Sequence, residues 1–194
     1  QPLFYGEPTV INLRVTVANR GNTDAPQDFK VSLWDGNPAA GVQIGEWTVP
    51  GPSGKWGQTT TPSVEWSTTI TEPRYLYVQC DSGGDVAESN EDNNQTYKIF
   101  SVELWPSAIS FDPPVPFAPP GQSVTVTIKT TVTNEGQVGA RNVQVGFWNG
   151  DPDGGGTPIG TRVISAIGAA SSVQTRIDWP DVGGGTYEVY VEVD

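Results

Sequence analysis

Leu33-Trp34-Asp35-Gly36 returns as Phe147-Trp148-Asn149-Gly150, and the chain around it returns with it. Val17-Ala18-Asn19-Arg20-Gly21 recurs as Val132-Thr133-Asn134-Glu135-Gly136, Ile44-Gly45 as Ile159-Gly160, and Val64-Glu65-Trp66 as Ile177-Asp178-Trp179. Tyr77-Val78-Gln79-Cys80-Asp81 recurs as Tyr190-Val191-Glu192-Val193-Asp194, and the offset stays between 113 and 115 residues throughout. A fixed period of this length marks tandem modules, and about 100 residues of short strands is the size of an immunoglobulin-like sandwich. The sequence therefore divides into residues 1–103 and 104–194.

Within each copy the apolar residues alternate. Ile11, Leu13, Val15 and Val17 fall at every second position, as do Val124, Val126 and Ile128, so each run is a strand with one buried face. Phe29-Val31-Leu33 and Val143-Val145-Phe147 alternate likewise and run into Asp35-Gly36-Asn37-Pro38 and Asn149-Gly150-Asp151-Pro152. Asp-Gly and Asn-Gly supply the positive φ of a tight hairpin. Ile44 and Ile159 open the returning strands.

Gly 23 and Pro 17 against a charged fraction of 16% argue against helices. The expected class is all-β: two tandem antiparallel β-sandwiches. No apolar run is long enough to span a membrane. The net charge of −12 repels phosphate backbones and anionic lipid heads, which excludes nucleic acid and membrane surfaces as expected partners. Gln1, with no Met in the chain, is expected to begin a processed secreted chain or an excised segment.

Trp66 and Trp179 share the parity of Val64 and Ile177 and are expected inside. Trp34 and Trp148 have the opposite parity and are expected to cover the neighbouring turn. Trp47, Trp56 and Trp105 have no counterpart in the other copy and are free for module-specific contacts. Trp47 and Trp56 are candidate platforms for surface glycans, whereas Trp105-Pro106 is expected to stiffen the junction. The Pro-rich stretch 112–121 reads as a rigid edge segment.

Asp81, Asp85, Glu88, Glu91 and Asp92 form the densest oxygen cluster. Two readings stay open: a calcium site, since calcium takes several carboxylate and carbonyl oxygens, or a solvated turn whose side chains cap their own backbone. Asn94-Gln95-Thr96 is a glycosylation sequon. Catalysis finds little support. There is no His, and the single Cys80 replaces Val193 of the second copy, so it reads as a small core hydrophobe. The acidic residues fall on turns or outward strand positions such as Glu65 and Asp178, without a cleft between them.

Together the two Val-x-Asn-x-Gly segments, the hairpin and Ile-Gly segments, the acid-Trp pairs, and Glu88-Ser89-Asn90-Glu91-Asp92-Asn93-Asn94 resemble the CARDB family, cell-adhesion-related domains of bacterial and archaeal surface proteins. The resemblance implies a seven-stranded immunoglobulin-like sandwich, an extracellular location, an adhesive or architectural role, and no catalytic residues. Copy 1 continues past Asp81 into Tyr97–Val102, whereas copy 2 ends at Asp194. Copy 2 instead opens with residues 108–112, whose counterpart would precede Gln1. Each sandwich is thus expected to be short of one edge strand and to borrow one. The expected product is a non-enzymatic head-to-tail homopolymer, an extracellular filament or stalk. The alternative is a carbohydrate- or cell-surface-binding module cut from a longer secreted chain.

Overall fold

The computed structural model describes residues 2–51 and 57–194, and all of its regular structure is β. No helix among the described residues is long and apolar enough to cross a membrane. The chain forms two compact units, one of Gly6–Phe100 and one of Ser101–Asp194 joined by residues 2–5. We call them module 1 and module 2.

Module 1 contains β1 (Pro8–Leu13), β2 (Thr16–Ala18), β3 (Phe29–Asp35), β4 (Val42–Val49), β5 (Gln58–Thr60), β6 (Val64–Thr69), β7 (Arg74–Cys80) and β8 (Gln95–Phe100). One layer is a four-stranded antiparallel sheet in the order β4-β3-β7-β8, and the facing layer is made of the pairs β1-β6 and β2-β5. The facing layer is split because Pro62 lacks the N–H a ladder needs. Thr61 bridges the gap: its hydroxyl accepts from Val15 N at 3.0 Å, and its own N–H donates to Val15 O at 2.9 Å. Between the layers lie Val15, Phe29, Val31, Leu33, Val49 and Val86. Trp66 is buried as its parity requires, edge-on to Phe100 at 5.7 Å.

Module 2 contains β9 (Leu104–Asp112), β10 (Val124–Asn134), β11 (Ala140–Asn149), β12 (Thr157–Ile167), β13 (Ser171–Val182) and β14 (Val189–Val193). Its layers are β13-β10-β9 and β12-β11-β14, all antiparallel. The core gathers Ile128, Val132, Val143, Val145, Phe147 and Ile177. Trp179 is half-buried against that core and meets Tyr187 edge-on.

The Leu/Phe-Trp and Ile-Gly repeats prove to be two halves of one device. Leu33 pairs with Gly45 and Phe147 with Gly160, and in both modules the register shifts at the next residue, a Trp. A bulge of this kind re-aims side chains at the base of a hairpin. A Cβ on Gly160 would stand 2.7 Å from Ile177 Cδ1, and one on Gly45 about as close to the Trp47 ring. Glycine is needed where the core approaches the bulge. Trp34 and Trp148 sit on the outer faces of their sheets, and the Trp148 indole lies against Gly146. The turns take their positive φ at Gly36 and Gly150.

Candidate functional site

The Val-x-Asn-x-Gly motif builds the end of module 2 at which residues 2–5 dock. Asn134, fully buried, donates from Nδ2 to Val138 O at 2.7 Å and Gly168 O at 3.0 Å. Its Oδ1 accepts from Gly136 N at 3.0 Å and Glu103 N at 3.1 Å. One amide side chain thus ties together the turn after β10, the turn after β12 and the entry to β9. Gly136 is required there, because a Cβ would collide with Ser101 O. The counterpart Asn19 makes the same local turn, accepting from Gly21 N and donating to Thr23 O, but in an exposed setting.

Beside this hub the chain's first residues join module 2. Gly139 N donates to Leu3 O and Tyr5 N to Gly139 O, both at 2.8 Å, so Phe4 and Gly139 form a parallel bridge. The Phe4 ring is 8% exposed, and the Arg141 guanidinium lies 4.0 Å from its centroid. Gly139 leaves the room, since a Cβ there would stand 2.7 Å from the ring.

Module 1 closes the corresponding end with its own chain. Asp81, in a left-handed conformation, donates its N–H to Lys30 O and accepts from Asp85 N at 2.8 Å and Val86 N at 2.9 Å. The capped turn lays Val86 on the core together with Ala25, the residue 114 positions before Gly139. The chain then returns as β8 along β7, from Gln79↔Gln95 to Arg74↔Phe100. In module 2 Phe4 is buried beside Gly139, and the outer side of β14 has no strand partner among the described residues. Likewise β1 pairs only with β6.

Of the acidic cluster, Asp81, Glu88 and Glu91 come together, each offering an oxygen within 4.8 Å of the others, while Asp85 and Asp92 fall outside the group. The carboxylates act as caps: besides the bonds to Asp81, Glu88 N donates to Glu91 at 2.7 Å and Asn94 Nδ2 to Glu91 at 3.1 Å. Burial, ahead of the neighbouring Glu91 and Asp81 charges, pushes the Glu88 carboxyl up. The turn therefore combines the capping bonds of the one reading with the close carboxylate oxygens of the other. Asn94, the sequon residue, is half-buried and engaged with Glu91.

Trp47 is half-buried, packed on one side against the core of module 1. Trp105 lies in β9 opposite Thr133, 42% exposed. Trp56 lies outside the described residues.

Cys80 packs against the same core, and burial pushes its thiol up to about 11, with the Glu88 and Asp81 charges acting in the same direction. The nucleophilic form is the thiolate. Against an ordinary thiol of pKa near 9, the thiolate fraction at pH 8 falls by about 100-fold. Iodoacetamide should therefore modify Cys80 about 100 times more slowly in the folded chain than in urea, as followed by mass spectrometry. Equal rates would contradict the burial.

Residues 5–98 match the CARDB family model. No curated protein matches the sequence. Among solved structures, the chain resembles a red sea bream transglutaminase at 14% identity and a TM-score of 0.41, covering all of this chain and 28% of that one. It also resembles the calcium binding domain CBD12 of CALX1.1 at 15% identity and a TM-score of 0.39, over 93% of this chain and 73% of that one. CBD12 of CALX1.2 follows at 11% and 0.36, with the same coverage. These likenesses are too distant to carry a function. The family match covers residues 5–98, nearly all of module 1 and just under half of the chain, and makes that module a CARDB-type, cell-adhesion-related domain.

Proposed function

We propose that the chain is a structural subunit of an extracellular filament or surface stalk, assembled head to tail by strand complementation. The observation that carries this reading is the slot beside Gly139 in module 2, filled by Phe4 from the far end of the sequence. A socket filled by a segment distant in sequence can be filled by the same segment of another copy, which keeps every contact and changes only connectivity. Gly6, at φ +73° and the first residue of module 1, is a natural hinge for that exchange. The sides of β14 and β1 that have no strand partner among the described residues add two rows of backbone groups that a filament would cover. Plug and socket are different surfaces, so the contacts are heterologous and propagate.

Electron microscopy and sedimentation of the full chain over a range of concentrations test the reading. Unbranched fibres, or a ladder of oligomers growing with concentration, are expected. Monomers at every concentration would overturn it.

A further inference from the structure

The outer face of the β4-β3-β7-β8 sheet carries an aromatic row, two of whose rings stand exposed. Trp34, Tyr77 and Tyr97 lie directly opposite one another across β3, β7 and β8. Tyr75 joins them on the same face, its ring 5.7 Å from Tyr97, while Tyr77 and Tyr97 are 5.2 Å apart. Tyr97 is 54% and Tyr75 41% exposed. The row runs into a depression between the β3–β4 hairpin and the start of β7, lined by Asp35, Asn37, Arg74, Tyr75 and Tyr77. Concave surfaces with aromatic walls and a few convergent polar groups are the usual form of a ligand site.

Charge narrows the ligand. Arg74 is committed to Asp35 at 2.8 Å and lies 3.8 Å from Glu72. Lys30, further along the same face, is committed to Glu46 at 2.9 Å. Among the described residues, the two cations placed here, Lys30 and Arg74, both have acidic partners, and the chain carries −12 overall, which disfavours an anionic ligand. Aliphatic groups stand only at the margins, at Ile99 and Val42, whereas Gln79 and Gln95 continue the face beyond the rings. That mixture is poor in the dry aliphatic core of a protein interface. It suits a ligand whose rings show apolar C–H faces to the tyrosines and hydroxyl edges to amides and carboxylates.

We propose that this face of module 1 binds a neutral polysaccharide, with Tyr75, Tyr77 and Tyr97 as stacking platforms and the Asp35–Arg74 pair and Asn37 as hydroxyl partners. The site is independent of the filament reading, because none of these residues belongs to the Phe4 slot or the β14 edge.

Affinity electrophoresis of the full chain in gels containing mixed-linkage β-glucan, α-mannan, dextran, alginate or chitosan tests it. At least one neutral polymer should retard the chain, and Tyr75→Ala with Tyr97→Ala should weaken that retardation at least about tenfold. Both rings are exposed, so the double variant should unfold at the same temperature as the parent. Phe117→Ala removes an exposed ring elsewhere and should leave retardation unchanged. Retardation by alginate or chitosan alone, by no polymer, or equally in the double variant would overturn the proposal. So would a double variant that loses self-association while the parent binds no polymer. Because the readout is mobility in a polysaccharide gel, it stands whether or not fibres form.

Discussion

Asn134→Ala should destabilise module 2 by about 3–5 kcal/mol, more than any exposed substitution in the chain. Four backbone groups lose their partner at once: the carbonyls of Val138 and Gly168 and the N–H groups of Gly136 and Glu103. The bond to Gly136 and the bond to Val138 are buried, and a buried polar group left unmade costs about 1–3 kcal/mol. Water reaches the other two more readily, which keeps the total below a simple sum. Asn19→Ala is the control. It removes the same local turn bonds in an exposed setting, where about 1 kcal/mol is expected. Urea unfolding followed by tryptophan fluorescence, with hydrogen exchange assigning each transition to a module, should show the loss in module 2. Equal effects of the two substitutions would contradict the hub.

Gly139→Val should empty the slot beside that hub. The first added carbon would stand 2.7 Å from the Phe4 ring and 3.0 Å from Ile167 O, so the aromatic ring must leave. Burying a phenylalanine ring contributes about 1.5–3 kcal/mol, and the Arg141 contact about 1 more. Docking of residues 2–5 should therefore weaken roughly 100-fold, and fibres should disappear with it. Phe4→Asp reaches the same end from the plug side, leaving Gly139 and its neighbours untouched. Fibres that persist in both variants would show that assembly does not use this slot.

Much of this fold could be read from residue order. The alternation in β10 matches an inward set of Val126, Ile128, Thr130, Val132 and Asn134, and the turn glycines lie where Asp-Gly and Asn-Gly put them. Trp66 is interior for the parity reason that predicted it. What could not be read was work done across long sequence separations. The Ile-Gly repeat was visible, yet its purpose, a close approach at a bulge, appears only once Gly45 and Gly160 are placed opposite Leu33 and Phe147. The motif asparagine was visible too, but periodicity gives no hint that Asn134 reaches Gly168 and Glu103. Phe4 was read as part of module 1 by position, although its contacts are with Gly139 and Arg141. The tyrosine face was likewise hidden: Trp34, Tyr77 and Tyr97 form a row only through the pairing of three strands. Nor does the sequence show that Trp47, unique to one copy, lies half-buried against the core of module 1.

Mixing the two damaged chains tests the assembly most directly. Phe4→Asp retains a working slot, and Gly139→Val retains a working plug; each alone should sediment as a monomer. Together they should form a one-to-one dimer and stop there, because each pair holds one sound junction. A mixture that stays monomeric, while the parent chain shows the same docked Phe4, would mean that the plug serves only its own molecule.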